Sequence, residues 1–477
     1  MLAPDTKTTT APSPDRIDQL VAAHKPGHGL ARPFYCDVDI YERDLERVFR
    51  RHWHCVAHES VIPKPNDFEV FRMASEQVIL TRHADGSIHA LLNVCRHRGA
   101  EVCTKDKGNA RVFVCPYHAW TYGNDGSLRA ARLMPKDFKR EDHGLKTLHV
   151  RVVEGLVFIS FAENPLDFTE VENLLHATCG QYGWGQAKVA YRQSYPVDAN
   201  WKLAVENYVE CYHCGPAHPE YSQTHALEQP LHMIEALNAA MEERTCALGI
   251  QVGSGDHWQT SENGKETIHA FRYALYDGVK TGSQDGSPLS TLMGRFTEFD
   301  GGVTSVHLGG TSFLVCYPDH GMIYRFIPKG PEACEMELIW LVNGEAQEGI
   351  DYDLEKLKWL WTVTTDEDKS IIEHTCAACA RTISYPARSR RWSRTSCAIS
   401  TGISTRSAGP DAARALLCRN TANVGNLRCP FRRCGFDAEA VGEGEESLKA
   451  CSLPAGTRAR IRAVSSPTVL QSPFGQS

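Results

Sequence analysis

No stretch of this 477-residue chain approaches the eighteen or more apolar residues that a membrane-spanning helix needs. Nor is there a basic field, because the formal net charge is −7 and no polybasic segment offers itself to nucleic acid or to an anionic membrane. The opening residues, MLAPDTKTTTAPSPDR, lack the apolar core of a secretory signal, so the expectation is a cytoplasmic protein with no nucleic-acid and no membrane partner. No Gly-rich dinucleotide fingerprint follows a strand pattern, which argues against a nicotinamide dinucleotide site of that kind in this chain. Cysteine is not scarce, at eighteen. In a long chain without a secretory signal, metal binding and free core thiols account for it better than disulfides do.

What is present is enough apolar residue, 42%, for two or three domains with real cores. The densest chemistry lies in NVCRHRGAEVCTKDKGNARVFVCPYHAWTY. Cys95 and His97 form C-x-H, Cys115 and His118 form C-x-x-H, and seventeen residues separate the two halves. Two thiolates and two imidazoles can make a tetrahedral zinc site or hold a [2Fe–2S] cluster with two Cys on one iron and two His on the other. Zinc fingers usually keep their cysteines together and their histidines together; here each loop supplies one of each, which favours the cluster. Turn-formers at Arg98-Gly99 and Pro116-Tyr117 can aim backbone N–H groups at bridging sulfides, with Val112 to Val114 and Trp120 as strand and cover.

At these residues the sequence resembles the Rieske-type oxygenase large subunits. That resemblance implies a second, mononuclear iron centre downstream, held by two His and one carboxylate. WKLAVENYVECYHCGPAHPEY contains E-x-x-H-x-x-x-x-H. Lys202 to Cys214 reads as a helix with Glu206, Glu210 and His213 on one face, ended by Gly215-Pro216 so that His213 and His218 can reach one metal. The family pattern makes His213 and His218 iron ligands and makes Glu210 the catalytic acid that bridges to a neighbouring subunit's cluster imidazole, matching His118. Asn207 could serve the same surroundings. The third ligand is expected in the helix DYDLEKLKWLWTVTTDEDKSIIE, where Leu357, Leu360 and Trp361 bury one side. Asp368 fits the family pattern best, with Asp366 as fallback.

The expected fold class is α+β, an antiparallel β Rieske domain followed by a catalytic domain with a curved antiparallel sheet flanked by helices. Residues 1–45 form an arm with two helices either side of an extended Pro33-Phe34-Tyr35. Residues 46–165 form the Rieske domain, and 166–373 form the catalytic domain, in which 222–350 reads as sheet with an insertion near Gly253 to Gly264. From 374 to 477 the character changes, with fourteen Arg, one Lys and seven Cys. Two readings stay open for this tail: a terminus read out of frame, or a disordered extension. Cys376/Cys379 and Cys429/Cys434 are zinc-like pairs without ordered flanks.

ENYVECYHC, PLSTLMGR and TTDEDKS look more like the quaternary-ammonium branch, which demethylates glycine betaine and related cations. The resemblance implies O₂ as co-substrate, a separate flavin/iron–sulfur reductase through which NAD(P)H acts indirectly, and a homotrimer. Trp258, Phe271, Tyr273 and Tyr276 could cage the cation, although aromatics at strand spacing are more often core. The alternatives are an aromatic-ring-hydroxylating dioxygenase, a Rieske electron-transfer protein without oxygenase activity, and a zinc-stabilised binding module.

Overall fold

The computed structural model describes residues 14–24, 29–226, 229–257 and 264–379. The chain enters through α1 (Pro14–Ala23), α2 (Pro33–Cys36) and α3 (Val38–Asp44). The Pro33 segment is a helical turn rather than the expected extended stretch: proline sits at the first helical position, where its missing N–H costs nothing and its φ already suits a helix.

The first sheet takes its strands from β1 (Trp53–His58), β2 (Asp67–Met73), β3 (Glu76–Arg82), β4 (Ile88–Leu92), β5 (Lys107–Asn109), β9 (Thr147–Val153) and β10 (Leu156–Ser160). Its order is β1-β10-β9-β4-β3-β2-β5, and β6 (Val112–Val114), β7 (Thr121–Gly123) and β8 (Leu128–Ala130) form a separate three-stranded sheet. Every pairing in both is antiparallel. A core of its own, including Phe68, Ile79, Leu91, Phe113 and Tyr122, lies beneath the Cys/His loops.

After α4 (Thr169–Ala177) and β11 (Ala187–Val197), the chain forms α5 (Trp201–Val209), α6 (Cys214–Ala217), α7 (Pro219–Ser222) and α8 (Leu231–Ala247). Then come β12 (Gly255–His257), β13 (Ile268–Ala274), β14 (Gly302–Leu308), β15 (Ser312–Cys316), β16 (Gly321–Gly330), β17 (Ala333–Asn343) and α9 (Leu354–Cys379). The second sheet runs β11-β17-β16-β15-β14-β13-β12, again antiparallel throughout. Its central strands β14 and β15 are buried along their whole length, because both faces are covered. One face packs Val303, Phe313 and Val315 against residues of α5 and α9; the other packs Val306, Leu308 and Leu314 toward α4 and β10. This is the expected α+β architecture. A buried ion pair, Lys202 to Asp44, with Lys202 Nζ also 3.1 Å from Phe34 O, ties α5 to the N-terminal helices.

Three further expectations are corrected. The helix predicted for Lys202 to Cys214 stops at Val209, where Glu210 leaves helical geometry at φ −108°, ψ 89°. Its carboxylate accepts the Tyr212 N–H at 3.2 Å, a side-chain bond that competes with the helix ladder. Residues 222–350 are not sheet alone, since α8 crosses them with only Met241 and Thr245 buried, a helix too solvated to show an apolar stripe. Finally, α9 does not end at 373; it continues to Cys379, with Ile372 and Cys376 buried. Residues 380–477, including Cys429 and Cys434, lie outside the described residues.

Candidate functional site

The two Cys/His loops are copies of one another. Cys95 N–H bonds Ala100 O at 2.8 Å and Gly99 N–H bonds Cys95 O at 2.9 Å; Cys115 N–H bonds Trp120 O at 2.9 Å and Ala119 N–H bonds Cys115 O at 3.0 Å. Each loop turns back at its fifth residue through a positive φ, 75° at Gly99 and 58° at Ala119. Glycine adopts this freely, whereas alanine there is strained. The repeat buries both cysteines and leaves His97 half-buried and His118 exposed. The imidazoles face each other with ring centres 4.6 Å apart, and His97 stacks on Trp120 at 4.9 Å. Tyr122 Oη lies 3.3 Å from Cys95 Sγ and accepts Arg96 N–H at 3.1 Å. With the thiols on one side and the imidazoles on the other, the four donors fit a cluster with a Cys₂ iron and a His₂ iron.

The second group is assembled by the turn after α5 and by α9. His213 Nε2 lies 3.2 Å and His218 Nε2 3.0 Å from the same oxygen, Asp368 Oδ1. The imidazole rings stand 5.0 Å apart and nearly perpendicular. The three donor atoms all lie within 4.8 Å of one another, so they could hold one metal ion. The other nitrogens face acids: His213 Nδ1 is 3.3 Å from Glu210 Oε2, and His218 Nδ1 is 2.7 Å from Glu367 Oε2. An acid on Nδ1 fixes the tautomer that presents Nε2 to a metal. Asn207 donates to Asp368 Oδ1. Asp366, the fallback, is exposed.

Three carboxylates around two imidazoles concentrate negative charge, and the protons respond. Burial pulls Asp368 upward, but hydrogen bonds from both histidines outweigh it and hold the carboxyl below its usual range. Burial pushes His213 down, while Asp368 and Glu210 more than reverse this and raise it to about 10. A divalent cation would replace those protons, so the donor set fits a two-His, one-carboxylate iron site with open positions.

This group lies in the wall of a cavity of about 690 Å³. The opposite wall is the sheet face carrying His269, Phe271, Tyr273, Ser305 and His307, and α8 adds Ile234, Leu237 and Asn238. Of the four aromatics proposed as a cage, Phe271 and Tyr273 line the cavity. Tyr276 is not among the lining residues and instead accepts a hydrogen bond from Gln229, and Trp258 lies outside the described residues. None of the described lining residues comes from the Cys/His loops, and none is Lys or Arg.

Glu367 escaped the sequence reading because a run of acids on a helix normally marks a solvated face. A signal was available: if Asp368 points at a metal, its neighbour is rotated about 100° around the helix, toward the side from which a second histidine can approach. His269 and His307 were likewise missed, sitting in strands that read as ordinary sheet.

The chain matches two family descriptions, the Rieske [2Fe-2S] domain over residues 52–149 and the ring hydroxylating alpha subunit catalytic domain over 185–387. It is 34% identical to the glycine betaine monooxygenase oxygenase subunit of Pseudomonas aeruginosa (strain UCBPP-PA14), over 72% of this chain and 80% of the relative. The fold is that of a quaternary ammonium Rieske monooxygenase described for carnitine oxidation and inter-subunit electron transfer (TM-score 0.59, 23% identity, 84% of this chain and 98% of the other). It is also that of naphthalene 1,2-dioxygenase from Rhodococcus sp. (TM-score 0.56, 17% identity, 83% and 98%). The chain therefore belongs to the Rieske non-heme iron oxygenases, enzymes that carry a [2Fe–2S] domain and a catalytic domain binding mononuclear iron. Within that family it is related to the oxygenase subunits of the glycine betaine and carnitine monooxygenases.

Proposed function

We propose that the chain is the oxygenase component of a system that oxidatively N-demethylates a quaternary ammonium compound such as glycine betaine. The observation that carries this reading is the cavity: it opens onto His213, His218 and Asp368 and is walled by Tyr208, Tyr221, Phe271, Tyr273 and Trp361, without lysine or arginine among its described lining. A permanent cation is attracted to aromatic faces and would be repelled by such bases. The relatedness to glycine betaine monooxygenase subunits points the same way.

In this reading Cys95, His97, Cys115 and His118 hold the cluster, and His213, His218 and Asp368 hold the mononuclear iron. When bound, these groups supply electrons and O₂ activation. The protein's share is placement: Glu210 and Glu367 orient the two imidazoles, Asn207 orients Asp368, and the aromatic walls hold an N-methyl group toward the metal-facing donors while excluding water. The net change is R–N(CH₃)₃⁺ + O₂ + 2e⁻ + 2H⁺ → R–N(CH₃)₂ + CH₂O + H₂O + H⁺. A separate flavin/iron–sulfur reductase oxidising NAD(P)H delivers the two electrons, and cytoplasmic nucleotide pools supply it.

The assembly we infer is a homotrimer in which each cavity is served by a neighbour's cluster, His118 facing Glu210. In support, no described lining residue of the cavity comes from the chain's own cluster loops, and the quaternary ammonium relative of known structure is described for inter-subunit electron transfer. The test is anaerobically purified protein supplied with reductase, O₂ and glycine betaine or the longer γ-butyrobetaine, which the cavity also has room for. One formaldehyde should appear per demethylated product. Hydroxylated ring product from an aromatic substrate, with no formaldehyde from either betaine, would replace this reading with the ring-hydroxylating one.

A further inference from the structure

The cavity holds a polar residue that neither iron chemistry nor cation binding uses. His307 lies on β14, whose cavity face carries Val303, Ser305 and His307, opposite His269 on β13 and Phe313 on β15. It is 6% exposed, lines the cavity, and its Nδ1 is buried with no hydrogen-bond partner. Its surroundings are rings: Phe313 at 4.8 Å, Phe271 at 5.4 Å, His269 at 5.5 Å and Tyr208 at 6.3 Å. A histidine in a strand buried on both faces, left without a partner, calls for an explanation.

Charge narrows the choice. A betaine carries a carboxylate as well as its cation, and a buried carboxylate needs donors. Among the described lining residues no Lys or Arg is available, and the guanidinium of Arg272 on the neighbouring strand β13 is engaged by Asp300 and Thr245 Oγ1. We propose that His307 is a specificity-determining residue whose Nε2–H, on the ring edge left open while Nδ1 is enclosed, donates to the carboxylate of a betaine substrate, in the cavity wall formed by β13 and β14. This rests on the quaternary-ammonium reading above. Burial, with His269 beside it, pushes the His307 pKa down to about 3, so the ring is a neutral donor that leaves the aromatic walls free for the cation. Asn238, whose side-chain oxygen already accepts Ala274 N–H at 2.8 Å, lines the same cavity and can present its NH₂ group beside it.

Titration calorimetry of the full-length, iron-loaded protein tests this, with glycine betaine and γ-butyrobetaine as carboxylate-bearing probes and tetramethylammonium as the probe without one. The wild type should bind at least one betaine about tenfold or more tighter than tetramethylammonium, the range of a hydrogen bond to a charged group. His307→Leu should bring that ratio to within about twofold while tetramethylammonium affinity, iron content and the cluster spectrum stay unchanged. His307→Gln keeps a donor and should retain most of the preference, which separates lost hydrogen bonding from lost packing. A preference that survives in His307→Leu, or a wild type that binds tetramethylammonium as tightly as both betaines, overturns the assignment and leaves the cation reading standing. A wild type that binds none of the three overturns both.

Discussion

The loops around Cys95 and Cys115 neighbour each other in sequence and share one hydrogen-bond scheme, whereas His213 and Asp368 are 155 positions apart and meet only because α9 packs beside α5. The first arrangement is local. Its geometry follows from two tight turns on short strands, and a small core beneath them suffices. The second is global, since displacing α9 by one turn, about 5.4 Å, would remove Asp368 from both imidazoles. The supports differ accordingly: the cluster loops use backbone bonds, and the triad uses three side chains, Asn207, Glu210 and Glu367. A long-range site needs such supports because nothing in the local backbone fixes its members relative to one another.

The sharpest way to break this comparison is to delete one member from each region. Asp368→Ala should abolish turnover and lose the mononuclear iron while the cluster's visible spectrum and acid-labile sulfide remain; Cys115→Ala should do the converse. Retained mononuclear iron in Asp368→Ala would move the ligand assignment. Co-expressing the two inactive chains with different affinity tags extends the test, because in the proposed homotrimer a mixed assembly would pair one chain's intact cluster with another's intact iron site. Turnover should reappear in the doubly purified mixture. If it does not, electrons pass within one chain and the neighbour-served site is wrong.

The same contrast governs what the sequence could disclose. The paired Cys/His loops were legible because C-x-H and C-x-x-H lie close together and their turns carry Gly99 and Pro116. Asp368 was reached by matching a late helix to a family pattern, and its placement 3.0–3.2 Å from His218 and His213 needs tertiary packing that no local signal encodes. The end of α5 was misplaced because Val209-Glu210 contains no helix breaker; a side-chain bond to Tyr212 N–H ends it instead. Helix α8 hid for the opposite reason: it buries so little that its pattern resembles solvated loop. Where the chain builds one region on another, residue type was readable and position was not.

Smaller changes sharpen the role of the supports. Glu210→Gln should keep both irons and the cluster spectrum yet uncouple cluster oxidation from product formation, lowering turnover roughly 100-fold. Unchanged turnover would remove Glu210 from the path between the centres. Glu367→Gln, which weakens only the orientation of His218, should cost roughly tenfold in mononuclear iron affinity, read by chelator competition, with little effect on the cluster. An effect on cluster stability as large as that on iron would mean that the two regions are not independent.

The last expected effect concerns acid and stability rather than turnover or metal affinity. His54 and His225 are buried and neutral: burial pushes His54 down to about 4 and His225 to about 3, against about 6.5 for an unfolded histidine. His225 Nδ1–H donates to Tyr221 O at 3.1 Å, and Nε2 accepts from Tyr317 Oη at 2.9 Å, so a second proton would reverse the latter bond and place a charge where no water reaches it. With folded pKa values below unfolded ones, the unfolded state binds more protons as pH falls below 6.5, and stability is lost over that window down toward pH 4. Each imidazole contributes about 2 kcal/mol of loss by pH 5 and almost nothing above pH 7.5. The urea midpoint followed by tryptophan fluorescence should therefore fall between pH 7 and pH 5, and His225→Gln should flatten that slope. An unchanged slope in His225→Gln would mean that the acid response arises elsewhere in the fold.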